Sequence, residues 1–144
     1  MNLETRKPGR ELGNRELTER VIGAAVRVHT ALGPGFLESI YEEALSVELR
    51  LLRVQFERQK PVPIFYRGHA VGEHRLDLLI ESSVVVELKA ITALENVHFA
   101  TVRSYLKALG LEDALLLNFN ATRLVVKRVG REYTPSVSPD EVSF

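Results

Sequence analysis

Two apolar runs separated by three polar residues constrain this chain more than any other feature. His74-Arg75-Leu76-Asp77-Leu78-Leu79-Ile80 and Val84-Val85-Val86-Glu87-Leu88-Lys89-Ala90 flank Glu81-Ser82-Ser83. Branched apolar residues at this density read as two strands, at about 73–80 and 84–90, closed into a hairpin by a short turn. Each run is interrupted by charge where a buried strand should carry none: Asp77 in the first, Glu87 and Lys89 in the second. Charges on a core strand are costly unless they are paired or hold a metal.

The turn fixes how these charges meet. A three-residue loop sets Ile80 opposite Val84, and counting back sets Asp77 opposite Glu87. Side chains alternate faces, so Glu87 and Lys89 share one face while Val86 and Leu88 take the other. Directly opposed side chains lie about 5 Å apart at Cβ. Two carboxylates at that spacing repel, and a divalent cation between them relieves the repulsion. Few, hard oxygen ligands suit Mg²⁺, which keeps waters for a substrate phosphate to displace, with Mn²⁺ as an alternative. Lys89 is then placed to orient or help activate an attacking water and to offset charge on a phosphorane-like transition state. The bland alternative is a cross-strand ion pair at a sheet margin, worth little. That alternative is the default for an arbitrary hairpin; the strongly apolar flanks and the excess of two acids over one base shift the balance toward a site.

The remaining elements are read by period. Thr18 is a candidate cap for a helix running to about Leu32, with Val21, Ile22, Ala25, Val28, His29 and Leu32 at helical spacing. Gly33-Pro34-Gly35 stops it, and a second helix spans roughly Leu37 to Arg53. Residues 54–59 alternate like a strand, Pro61 and Pro63 break the pattern and confine such a strand to an edge or a bulge, and Ile64-Phe65-Tyr66 resumes it before a turn at Arg67-Gly68-His69. A helix over 96–109 and strands over 114–119 and 123–129 follow. The spacing of strand, helix and strand across 84–119 suits a right-handed parallel crossover. The expected class is α/β, a mixed central sheet flanked by helices in the order α-α-β-β-β-α-β-β. Residues 1–16 read as a flexible N-terminal arm, 17–129 as one domain, and 130–144 as a C-terminal tail.

Composition narrows the function classes. The 144 residues fit one domain with a real core. Charged residues make up 26% and the formal net charge is zero, so contact with a polyanion must come from a local patch. Arg103, Lys107, Arg123, Lys127 and Arg128 are candidates for one, although a solvated face is the default for such residues. The absence of cysteine excludes disulfides, zinc–thiolate sites and thiol nucleophiles. The polar start lacks a signal core, and no apolar run is long enough to cross a bilayer, so a soluble cytoplasmic domain without membrane contact is expected.

Asp77, a ten-residue step and Glu87-Leu88-Lys89 resemble the bipartite core of the PD-(D/E)XK nuclease superfamily. Gly35-Phe36-Leu37-Glu38-Ser39-Ile40-Tyr41 reads G-x-x-E-x-x-Y, and with its surroundings it resembles the GxxExxY family of that superfamily. Phe56-Glu57-Arg58-Gln59 and Leu117-Asn118-Phe119 also fit, and the similarity covers about residues 17–129. The resemblance implies a restriction-endonuclease-like core, with Asp77 and Glu87 as metal ligands and Lys89 as the catalytic lysine. It adds the Leu88 backbone carbonyl as a further ligand and Glu38 as an additional acid beside the metal. The first turn of a helix is a favourable place for such an acid.

One departure concerns the helix after the E-x-K strand. The family commonly carries Gln followed four residues later by Tyr, where this chain has Thr101 and Tyr105. Tyr105 can still line the site, Thr101 lacks the amide, and His98 one turn earlier is a candidate phosphate contact, against the simpler reading of a helix-surface histidine. His29 and Tyr41 fit the pattern as packing residues. The expected function is a Mg²⁺-dependent nuclease acting on DNA or RNA without sequence specificity. The alternatives are a nuclease fold that has lost turnover and serves as a binding or assembly module, and hydrolysis of another phosphate ester. A homodimer through an open sheet edge is compatible with the balanced charge.

Overall fold

The computed structural model describes residues 11 to 131. Two helices come first, α1 (Glu11–Leu32) and α2 (Glu38–Leu51), then three strands, β1 (Phe56–Tyr66), β2 (His69–Ile80) and β3 (Val84–Lys89). Helix α3 (Asn96–Leu109), β4 (Asp113–Asn118) and β5 (Val125–Gly130) complete the chain. The strands lie in the sheet in chain order, all neighbours antiparallel except the parallel pair β3–β4 that α3 connects. This is the α/β class and the element order expected from sequence.

The sheet has a helical layer on each side. Val84, Val86 and Leu88 of β3 and Leu115 and Leu117 of β4 pack with α1 and α2 through Val21, Ala25, Tyr41, Leu45 and Leu49. Val85, Ala114 and Leu116 pack on the other side against Val102, Tyr105 and Leu106 of α3. Burial on both faces explains why residues 84–86 of β3 and 114–117 of β4 read as continuous apolar runs rather than as alternation.

The turns obey their chemistry. Glu81 and Ser82 both adopt positive φ, Ser83 N–H donates to the Ile80 carbonyl at 2.8 Å, and Ile80 pairs with Val84. Between β1 and β2, Arg67 and Gly68 have φ of 50° and 81°, the two positive values of a type I′ turn, and Tyr66 pairs with His69. Strand β2 therefore begins at His69, ahead of the expected start near residue 73.

Two expectations are corrected. Strand β1 runs unbroken through Pro61 and Pro63. It is an edge strand, and the two prolines share one parity, so the open edge takes both missing donors. Helix α1 begins at Glu11, so residues 11–16 belong to it rather than to an arm, and Thr18 lies inside the helix with its hydroxyl donating to the Arg15 carbonyl at 3.0 Å. Asn14 anchors that extension by donating to Asp113 Oδ2 at 2.6 Å, a partner far away in sequence. Residues 1–10 of the expected arm and 132–144 of the expected tail lie outside the described residues.

Candidate functional site

The β2–β3 ladder stops at the Leu78–Val86 pair, and the next residues on each strand are Asp77 and Glu87. From there the carboxylates take over the pairing. Asp77 N–H donates to Glu87 Oε1 at 2.7 Å, and Leu88 N–H donates to Asp77 Oδ2 at 2.9 Å. The apposition counted from the Ile80–Val84 turn is therefore present, in a split between two strands. The N–H and C=O of a strand residue point to the same side, so the Leu88 carbonyl is aimed into the same split.

β1 also yields at this point. Arg58 pairs with Leu78 and Lys60 with Leu76, while Gln59, between them, has φ 52° and makes no ladder pair. Leu78 belongs to the α1–α2 core and Leu76 to the α3 core, although residues two apart on a regular strand share a face. The β1–β2 ribbon thus turns over at Gln59 and Asp77. The Gln59 amide donates to Asp77 Oδ1 at 3.3 Å and to Glu42 Oε1 at 2.9 Å. Glu42 is itself buried and held by Arg58 Nε at 3.0 Å.

The electrostatics follow from burial. Glu87 is 6% exposed. Burial first, then the adjacent charge of Asp77, pushes its carboxyl up to about 9, against the opposing Asp77 N–H bond and the positive charge of Lys89. The two carboxyl groups sit side by side, each bonded to the backbone of the other's strand. Such a pair does not hold two negative charges together; it keeps a proton or takes a cation. Lys89 is half-buried and follows Glu87 on the same face. Tyr105 of α3 is buried, and its hydroxyl is pushed up to about 12 by burial and then by the charges of Glu87 and Asp77, so it borders the same pocket of charge.

The other candidates are placed differently. Glu38 opens α2, and its Oε2 accepts the Ala90 N–H at 3.3 Å, one residue past Lys89. It sits at the end of β3, and among the described residues no group of three or more His, Asp or Glu side chains is gathered closely enough to hold an ion. The Thr101 hydroxyl is turned back onto its own helix, donating to the Val97 carbonyl at 2.9 Å. His98 Nδ1 accepts the Glu95 N–H at 2.8 Å and closes the first turn of α3. Both local bonds are the usual competition of short polar side chains for nearby backbone. Of the three α3 candidates, Tyr105 alone joins the acidic pair.

Tyr41 and His29 are packing residues, as expected. The Tyr41 hydroxyl donates to the Gly33 carbonyl at 2.5 Å and accepts the Phe36 N–H at 3.1 Å, while its ring stacks on Phe119 at 4.5 Å. It clamps the turn through Gly35, whose φ of 110° demands glycine, and so sets where Glu38 stands. His29 is buried against Phe119 with Nε2 2.9 Å from the Ala121 carbonyl.

Sequence reasoning assigned no role to Gln59, Glu42 or Asn118. Glu42 follows Glu38 by four residues on one helix face, which is the signal that identifies it. Buried Asn118 donates to the Ile91 carbonyl at 2.9 Å and accepts its N–H at 3.1 Å, pinning the chain just beyond Lys89. A cavity of about 320 Å³ lined by Asn14, Arg15, Thr18 and Arg128 lies at the opposite end of β4. Arg128 belongs there, donating to Thr18, away from the acidic pair.

No helix among the described residues is long and apolar enough to cross a membrane. No curated protein and no solved structure matches the chain. A family model described as the PD-(D/E)XK nuclease superfamily matches residues 15–129. That span runs from the first turns of α1 almost to the end of β5 and takes in the Asp77–Glu87 split and Lys89, so the chain belongs to the PD-(D/E)XK nuclease superfamily.

Proposed function

We propose that the protein is a divalent-cation-dependent nuclease that hydrolyses phosphodiester bonds of DNA or RNA without sequence specificity. The observation that carries this reading is the Asp77–Glu87 pair in the strand split, with Lys89 on the face of Glu87. The donor set fits Mg²⁺ or Mn²⁺: two hard carboxylates that cannot both stay ionised alone, plus the Leu88 carbonyl aimed at the same gap. A divalent ion held there supplies Lewis-acid polarisation of a phosphoryl oxygen.

The chain's own groups do the rest. Asp77 and Glu87 would hold the ion, and their fixed places in the split set where it would stand. The Lys89 ammonium orients the attacking water and offsets negative charge as it builds on the phosphorus oxygens. Glu38, held at the Ala90 N–H, is near enough to the end of β3 to bind a water on the substrate side. The Tyr105 hydroxyl, kept protonated far beyond neutral pH, serves as a donor to a phosphate or to the acidic pair.

Cleavage of single-stranded and duplex DNA and RNA in Mg²⁺ tests the reading. Asp77→Ala and Lys89→Ala should abolish turnover while the fold survives, and EDTA should do the same to the wild type. Cleavage that persists in EDTA rules it out.

Among the described residues no third acid joins the cluster, which favours one alternative, a nuclease fold retained as a binding or assembly module. Thermal melting with Mn²⁺ separates the two: an intact site is stabilised by the ion, and a module without a site is not.

A further inference from the structure

The β1–β2 ribbon outruns the sheet. Strand β2 pairs with β3 only from Leu78 onward, so from Lys60 to Arg75 the chain is a two-stranded arm with no third strand. Its root is anchored: Val62 and Leu76 are fully buried in the α3 core, and the His74 ring packs edge-on against Tyr105 at 5.8 Å. Its outer half is open to solvent on both faces, with Phe65, Tyr66 and Val71 each more than 60% exposed. The Arg67 guanidinium lies over the Tyr66 ring, 5.9 Å from its centroid.

The arm's chemistry is uneven. Residues 60–75 carry Lys60, Arg67 and Arg75 against the single carboxylate of Glu73, with His69 and His74 besides; Arg75 pairs with Glu73 at 3.7 Å and Lys60 with Glu57 at 3.4 Å, so Arg67 beside Tyr66 is the cation of the exposed tip. Along β1, Val62 and Ile64 share the face of Val62's partner His74, which packs on Tyr105; the register shifts between Ile64 and Phe65, so Phe65 and Tyr66 lie on the irregular outer end of the same ribbon. The eight steps from His69 to Asp77 span roughly 26 Å at about 3.3 Å each.

We propose that this arm grips the unpaired bases of a single nucleic-acid strand a few nucleotides from the site of cleavage, and that the protein is therefore selective for single-stranded substrate. The inference rests on the nuclease reading for what happens at Asp77 and Glu87, and on the arm alone for strand selection. Flat, exposed aromatic rings flanked by cations are stacking platforms for unstacked bases, and duplex bases do not offer their faces. The chain lacks the net positive charge that would hold a duplex by its phosphates alone. A second copy of the chain fits the arm less well. Pro61 and Pro63 remove donors from the open edge of β1, and two such arms would bring like charges together.

Fluorescence anisotropy with a labelled oligothymidine of about 12 nucleotides and a duplex of equal length, both in EDTA, tests the inference. The wild type should bind the single strand at least tenfold more tightly, and Asp77→Ala should retain that preference. The double substitution Phe65→Ser, Tyr66→Ser should cost about tenfold or more on the single strand and little on the duplex, whereas Tyr66→Trp should retain single-strand affinity. Circular dichroism establishes that each variant is folded, and sedimentation gives its mass. Equal affinity for the two substrates overturns the inference, as does a serine variant that binds like the wild type. A wild-type dimer that the serine substitutions dissociate also overturns it, in favour of self-association. Single-strand binding lost in the serine variant without Mg²⁺-dependent cleavage by the wild type upholds the arm and sinks the nuclease reading. Asp77-dependent cleavage with no strand preference does the reverse.

Discussion

Glu87 accepts the backbone N–H of Asp77 at 2.7 Å, while Asp77 accepts the N–H of Leu88 at 2.9 Å. Each acid thus braces the strand that carries the other. This exchange lets β2 leave β3 without abandoning backbone donors, and it brings two carboxyl groups together in a buried split. Beside Asp77, the buried Glu87 carboxyl keeps a proton, and a divalent cation can take that proton's place.

The pair makes metal binding visible in stability. At a free Mn²⁺ concentration about 100 times its dissociation constant, the folded state should gain about 2.7 kcal/mol, a rise of roughly 5–10 °C in the melting temperature of a domain this size. Asp77→Asn should remove the rise. Differential scanning calorimetry with and without EDTA measures both.

The raised Glu87 carboxyl fixes a pH dependence in metal-free protein. The folded state keeps a proton on Glu87 up to about 9, while the unfolded chain releases it near the ordinary value of 4.5. Between those values the folded state binds more protons, so stability falls as pH rises. Urea unfolding in EDTA should give a lower midpoint at pH 8.5 than at pH 6, and Glu87→Gln should flatten the slope. Divalent affinity should rise over the same interval, because the ion displaces that proton.

Gln59 bridges Asp77 and Glu42 from a left-handed backbone, which separates its two roles. Gln59→Gly accepts the φ of 52° without strain and deletes only the bridge. Its unfolding free energy should stay within about 1 kcal/mol of wild type, since relief of left-handed strain offsets the lost bonds. Its Mn²⁺ affinity, read by titration calorimetry, should fall about tenfold, the usual effect of freeing a ligand from its supporting partner.

Tyr41→Phe tests the clamp that sets Glu38. The ring keeps its place on Phe119, but the Gly33 carbonyl and the Phe36 N–H lose their partner. A loss of about 1–3 kcal/mol is expected in chemical denaturation. Turnover should fall with it, because Glu38 starts the helix that this turn aims.

Much of this was legible in the residues because it depends on local counting. The Glu81-Ser82-Ser83 turn sets the Asp77–Glu87 apposition, and helix length sets the parallel β3–β4 pairing. What escaped was decided across long separations or by competing local bonds. The start of α1 is held by Asn14 on Asp113, which no local pattern announces. The prolines of β1 point to an edge or a bulge, but not to a strand running unbroken through both. Thr101 and His98 stand one and two turns ahead of Tyr105 on α3, yet each satisfies its own helix backbone instead of the site. Gln59 reads as an ordinary polar residue of an alternating strand until the ribbon turns over there.

Anomalous diffraction from crystals soaked in Mn²⁺ tests the central claim most directly. The account predicts one strong peak in the split, roughly 2.0–2.3 Å from a carboxylate oxygen of Asp77 and from one of Glu87, lost in Asp77→Asn crystals. A peak elsewhere with none between these two residues, at a pH where the ion should displace the Glu87 proton, would contradict it.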